Sequence, residues 1–287
     1  MIAISQKHWK GDVGEILRVG EGFLLENVDP DGTPGYKKNK KHAAEDRASG
    51  AEQLDEYQER LYARSRVDAT HAAVLLVLQA MDSAGKGGIL RHVVGSVDPQ
   101  GISIAAFKKP TDEEARHDFL WRVKRRLPEP GMIAVFDRSH YEDVLIGRVR
   151  ELAPPDEIER RYEAINRFEK KVAEGGTRIV KVMLHISRDE QKERLMRRLD
   201  RPDKHWKYNP NDVAERELWP KYMAAYQTVF ERTSTPHAPW HVVPANHKWY
   251  ARIAVQHLLL EALEDINPSW PAAPYAIEVE KARLAAT

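Results

Sequence analysis

Apolar and polar positions along this chain follow two rhythms. Short continuous apolar runs of strand length read at Ala73–Leu78, Ile102–Phe107, Met132–Phe136, Ile179–Ile186 and His241–Val243. Between and after them, apolar residues recur every three or four positions near Gly87–Val97, Asp112–Leu127, Glu157–Glu174, Asp189–Leu199, Val213–Arg232 and Trp249–Asp265. A continuous apolar strand is covered on both faces, and the helical period marks a segment that covers one of them. Strand and helix in alternation predict an α/β fold, a parallel sheet between helical layers. A further amphipathic helix is expected over Ala43–Ala63, with Leu54, Tyr57, Leu61 and Tyr62 on one face.

The flanks read differently. Residues 1–42 are polar and rich in turn formers, and Lys37, Lys38, Lys40 and Lys41 read as a solvated, mobile run rather than an anion arm. From Pro268 onward, Pro271 and Pro274 mark a loosely docked tail. The expected division is a polar extension (1–42), one domain (43–267) and a C-terminal tail (268–287).

The first strand runs into Met81-Asp82-Ser83-Ala84-Gly85-Lys86-Gly87-Gly88, and a helix follows. A strand, a small-residue turn and a helix start form a phosphate cradle, in which backbone N–H groups from Ala84 to Gly88 face the anion and Lys86 adds a mobile charge. The turn departs from the usual G-x-x-x-x-G-K-[ST] loop. Ala80 takes the first glycine position, and Gly87 replaces the hydroxyl residue that holds Mg²⁺. Asp82 stands inside the loop, and a carboxylate there makes sense as a replacement ligand for that ion. The third strand ends in Asp137-Arg138-Ser139-His140-Tyr141-Glu142-Asp143. Strand ends of a parallel sheet share one edge, so Asp82 and Asp137 can converge on one ion.

A basic interruption lies between two predicted helices, bracketed by Pro202 and Pro210. It carries Arg197, Arg198, Arg201, Lys204 and Lys207 with Trp206 and Tyr208. Beside a phosphate loop such a segment, about 197–212, reads as a lid whose cations close over a transferring group. Net charge narrows the remaining field. At +1, with 42% hydrophobic residues and no cysteine, the chain advertises neither nucleic acid nor membrane and excludes disulfides and thiolate metal sites. A cytoplasmic location is the expectation.

These motifs together resemble the polyphosphate kinase 2 family. Asp82 to Gly88 resembles its altered Walker A segment and Phe136 to Asp143 its Walker B segment. His117-Asp118-Phe119-Leu120-Trp121-Arg122 and Arg198 to Pro210 resemble further blocks, so the similarity spans roughly residues 45–270. The resemblance implies a thymidylate-kinase-like P-loop fold, a three-layer α/β/α sandwich with a five-stranded parallel sheet and a helical lid. It implies reversible, Mg²⁺-dependent transfer of the terminal phosphoryl group of inorganic polyphosphate to AMP and ADP, with Mn²⁺ also suited to an all-oxygen site. Adenine nucleotides, and by extension guanine nucleotides, are the implied partners, in a homo-oligomer. By the same resemblance Asp82 and Asp137 are metal-site acids, Lys86 and Arg138 bind the transferring group, and Arg198 and Arg201 cover it. Lys108, Arg122, Arg126 and Lys204 would contact polyphosphate. Glu142, with Asp143, would meet the nucleotide, its carboxylate accepting from an exocyclic amine. An ATP-dependent nucleoside monophosphate kinase and a polyphosphate-binding protein without turnover are the competing readings.

Overall fold

The structure, a computed structural model, describes residues 8–67 and 70–287. Its strands are β1 (Ala73–Ala80), β2 (Ile102–Ala106), β3 (Ile133–Asp137), β4 (Thr177–His185) and β5 (Trp240–Pro244). They form one sheet in the order β2-β3-β1-β4-β5, every neighbouring pair parallel. Its helices are α1 (Val13–Leu17), α2 (Lys40–Ser65), α3 (Lys86–His92), α4 (Trp121–Lys124), α5 (Ile146–Val149), α6 (Pro155–Glu174), α7 (Arg188–Leu199), α8 (Asn211–Glu217), α9 (Trp219–Thr233), α10 (Lys248–Ile266) and α11 (Ile277–Ala285).

The period of two along each strand sorts the core into two sides. Val74, Leu76 and Leu78 pack with α1, α2, α3 and α10, whereas Leu75, Val77 and Phe136 pack with α5, α6 and α9. This is the expected three-layer sandwich. Because Leu78 of β1 stands level with Asp137 of β3, the two strands deliver their following residues to the same edge. That edge carries the site.

Three helices differ from expectation. The continuous helix expected over Asp112–Leu127 is replaced by a 3₁₀ turn at Glu114–Arg116 and by α4. Asp118 Oδ1 accepts from the Leu120 N–H at 3.1 Å, a local turn that competes with the helical ladder. The helix expected over Val213–Arg232 divides at Leu218, where Pro220 opens α9 and has no N–H to continue a ladder from α8. The helix after the phosphate loop ends at His92, and a 3₁₀ turn at Val94–Ser96 follows.

The flanks also pack more than their composition suggests. Trp9, Val13, Leu17 and Tyr36 are buried in the core, and the Val19 N–H donates to Trp240 O at 2.8 Å, covering the β5 edge. Lys37, Lys38, Lys40 and Lys41 are exposed, as expected, but Lys40 and Lys41 form the first turn of α2 and not a mobile run, with Asn39 capping that turn. In the tail, α11 buries no residue. Among the described residues no helix is long and apolar enough to cross a membrane.

Candidate functional site

Beyond β1 the chain reverses through Met81–Gly85 into α3. The turn needs left-handed backbone: Ser83 has φ +68° and Gly85 has φ +125°, a value that strains any residue with a Cβ. Among the described residues the N–H groups of Ser83, Gly85, Lys86 and Gly87 meet no acceptor. Ser83 Oγ is buried and likewise without a partner. The Lys86 ammonium folds back to 3.4 Å from Ala80 O. The turn therefore collects unspent donors around one cation.

β3 delivers the second half. Arg138 also has positive φ, +63°, with its N–H on Leu78 O at 3.0 Å. Its guanidinium donates to Asp82 Oδ1 at 2.9 Å and lies 3.7 Å from Glu142 Oε2. Burial works against its charge, but Glu142 and Asp82 outweigh it and hold the proton more tightly than usual.

An open cleft of about 690 Å³ is built on this edge. It is lined by residues 82–88, Asp137 and Arg138, with Arg198, Arg201 and Lys204 of the lid, so most of the expected phosphate residues converge. Arg197 and Lys207 join them from the same basic run. Four more cations line the cleft that the sequence reading passed over: Arg91, Arg194, Lys248 and Arg252. Burial lowers the proton affinity of Lys248, and Arg194 and Arg197 beside it lower it further. Arg252 is lowered by burial and then by Arg47. Crowded cations of this kind favour a polyanion between them. The lid cations are paired meanwhile: Arg198 Nη1 donates to Lys207 O at 3.1 Å, and Arg201 and Lys204 share Asp203.

A second cavity, about 220 Å³, shares Asp82 and Arg138 with the first. Its character is opposite: Glu142, Asp212 and Glu215 face it, with Tyr222 and Tyr226 of α9 as walls. Burial raises the Glu142 carboxyl above its ordinary value despite Arg138 and Lys86 nearby. Asp212 is raised by burial and then by Asp82. With its carboxamide oriented by the hydrogen-bond network, Gln79 donates to Glu142 Oε1 at 2.9 Å and accepts from the Ser139 N–H at 3.1 Å.

Four expected residues are not brought to either cavity. Lys108 and Arg126 are exposed and line neither. Arg122 is buried, its guanidinium on Lys108 O at 2.7 Å and 3.8 Å from Asp143. Asp143 sits between Arg122 and Arg161, 3.7 Å from the latter. This cluster braces the turn after β3 from behind.

Asp82 and Asp137, the two carboxylates expected to hold a metal, both line the cleft. Among the described residues no three His, Cys, Asp or Glu side chains gather around one point. An all-oxygen pair suits a hard cation that takes its remaining ligands from water and phosphate, as Mg²⁺ does, and does not suit a caged structural metal.

Comparison with known proteins bears on these features. A family profile described as polyphosphate kinase 2 matches residues 40–271. The chain is 43% identical over 256 residues to the AMP/ADP-polyphosphate phosphotransferase of Meiothermus ruber, covering 89% of this chain and 94% of that one. It is 42% identical over 273 residues to the ADP-polyphosphate phosphotransferase of Rhodopseudomonas palustris, covering 89% and 91%. The crystal structure of polyphosphate kinase 2 from Arthrobacter aurescens TC1 superposes with a TM-score of 0.95 at 55% identity, covering 97% of this chain and 98% of that one.

Proposed function

The chain belongs to the polyphosphate kinase 2 family, and from that premise we propose that it transfers the terminal phosphoryl group of inorganic polyphosphate to AMP and ADP. The observation that carries this reading is the pair Asp82 and Arg138, the junction between a cationic cleft and an acidic pocket. A polyanion belongs on the cationic side. The acidic side suits a neutral, donor-rich group such as a base amine or ribose hydroxyls. A nucleotide whose base end occupies the acidic pocket directs its phosphate back to the junction.

There a terminal phosphate oxygen of the nucleotide attacks the last phosphorus of the chain. The bond from that phosphorus to its bridging oxygen breaks, and polyphosphate shortened by one unit leaves. The transition state spreads negative charge over three equatorial oxygens, so the protein contributes mainly alignment and positive charge. Lys86 and Arg138 hold the transferring group, and Arg198 and Arg201 close over it from the lid. Arg194 lies beneath the loop rather than over the group. Asp82 and Asp137 would hold Mg²⁺, with Mn²⁺ an alternative of the same ligand chemistry. When bound, the ion supplies charge neutralisation on the phosphate oxygens. Glu142 supports AMP as an acceptor beside ADP, through a hydrogen bond accepted from the adenine amine.

Purified protein with Mg²⁺, polyphosphate and AMP, and no ATP, is expected to form ADP and then ATP, followed by chromatography. Product from ADP alone would remove AMP from the reading. No product from either nucleotide would overturn it.

A further inference from the structure

Arg194 lies at the middle of α7, one turn before the lid arginines, and only 4% of it is exposed. Each of its five N–H donors has an acceptor. Nε donates to Glu190 Oε1 at 2.6 Å. Nη1 donates to Ser83 O at 3.1 Å and to Ala84 O at 2.7 Å, both in the phosphate loop. Nη2 donates to Ala245 O at 2.6 Å and Asn246 O at 3.0 Å, in the turn after β5. One turn earlier on the same helix, Gln191 Nε2 donates to Asp82 O at 3.0 Å. Three successive loop carbonyls, those of residues 82, 83 and 84, are thus fastened to α7.

The consequence follows from peptide geometry. In a trans peptide the N–H points opposite to the carbonyl it adjoins. With the Asp82 and Ala84 carbonyls held against α7, the N–H groups of Ser83 and Gly85 point away from it, and neither has an acceptor among the described residues. Ser83, at φ +68°, holds a left-handed backbone that is costly for a residue with a Cβ and that the anchored carbonyls on either side help to hold. Burial lowers the proton affinity of Arg194, but Glu190 works against that.

We propose that Arg194 is a positioning residue for phosphoryl transfer: its fork, spanning the phosphate loop and the β5–α10 turn, fixes the loop's donors toward the phosphate. It acts by geometry, not as a charge on the substrate. The same helix carries Arg197 and Arg198 to the cleft, so the floor of the loop and the stalk of the lid are one rigid element. The proposal rests on the polyphosphate reading above.

The test compares shape with charge. Arg194→Lys keeps a cation but has three donors on one atom, which cannot span two carbonyl pairs. It is expected to lose turnover with polyphosphate by about 10²-fold, the scale of a slight misplacement of reacting groups. The KM for the nucleotide should stay within about twofold, and Arg194→Met should fall as far as the lysine variant. Millimolar guanidinium ion should restore much of the turnover of Arg194→Ala, and methylammonium should not. A lysine variant within about threefold of wild type would overturn the proposal, as would equal rescue by both ions. If the alanine variant does not fold, Gln191→Leu tests the same anchoring at Asp82 O: a loss confined to kcat supports it, and unchanged kcat overturns it. Wild-type protein without turnover would instead be a failure of the polyphosphate reading.

Discussion

The Arg138 guanidinium donates to Asp82 Oδ1 at 2.9 Å, joining the residue just past β3 to the loop just past β1. The contact needs Arg138 in the left-handed region, at φ +63°, where a side chain costs about 1–3 kcal/mol. Replacing Arg138 by Gly relieves that backbone and deletes the cation. Stability should stay within about 1 kcal/mol, because the lost ion pair is partly exposed and weak. Turnover should fall by about 10³, the scale of a deleted arginine finger. Lys86→Ala and Asp137→Asn are expected to behave alike, folded and inactive, read by thermal melting beside initial rates. Near-wild-type turnover in any of the three would remove that residue from the machinery.

The lid cations are held by an acid of their own. Arg201 reaches Asp203 through two bonds of 3.0 and 2.9 Å, and Lys204 lies 2.9 Å from the same carboxylate. Hydrogen bonds from Arg201 and then Lys204 pull the Asp203 carboxyl down to about 2. If these cations take phosphate as proposed, Asp203 competes for them. Asp203→Asn should lower the KM for polyphosphate by about threefold, the scale of an exposed pair. In both proteins that KM should rise with ionic strength. A KM flat in salt would argue against the cationic cleft as the polyphosphate site, and a raised KM in the variant would assign Asp203 an ordering role.

Glu142 gives a pH signature. Its carboxyl is buried and titrates above the ordinary 4.5, so it takes up a proton earlier than a free glutamate as pH falls. Once protonated it would no longer present an anionic acceptor to the adenine amine that the proposed reading places there. The acid limb of kcat/KM for AMP should therefore lie above the usual glutamate range, and Glu142→Gln should flatten it. The variant should also lower kcat/KM for AMP by about 10-fold or more, the worth of a hydrogen bond to a charged acceptor. An unchanged profile would take Glu142 out of nucleotide recognition.

How much of this was legible depended on the kind of signal. Strands β1 and β3 were, because a two-sided buried strand leaves a continuous apolar run, Val74–Leu78 before Asp82 and Ile133–Phe136 before Asp137. By contrast, β2 carries a similar run but is an edge strand with Ile104 exposed. The basic run that brings Arg198 and Arg201 to the cleft was legible as a dense charge cluster between two prolines. Arg194 was not: on an amphipathic helix it reads as one more solvated cation, and only tertiary structure turns its fork under the loop. Lys248 and Arg252 were hidden likewise, four residues apart on α10. Arg122 misled in the other direction, since sequence proximity to a basic helix says nothing of the fold that buries it, with Nη1 on the Lys108 carbonyl. Trp9 and Tyr36 are isolated apolar residues in a polar stretch, without the period that would have announced their burial.

One more polar residue was concealed inside an apolar strand. Lys181, in β4, has no exposed surface, and its ammonium donates to Glu169 Oε2 at 2.7 Å, Tyr141 OH at 2.8 Å and Thr233 O at 2.8 Å. Glu169 Oε1 accepts from Tyr141 OH at 2.8 Å and lies 3.1 Å from His140 Nε2. Burial alone would raise the Glu169 carboxyl, yet Lys181 and His140 hold it below its ordinary 4.5. Its contribution to stability is thus present above that value and lost as pH falls beneath it. Lys181→Met strands a buried carboxylate and should cost about 3–5 kcal/mol. The double variant Lys181→Met with Glu169→Leu should recover most of that, since a buried pair replaced whole by apolar groups is close to neutral. Tyr141 lies between Arg138 and Glu142 in the chain, so the single variant should lose turnover along with stability. Urea denaturation of both singles and the double gives the coupling energy directly. Strict additivity would mean that the two charges do not depend on each other, and that the turn after β3 is held from elsewhere.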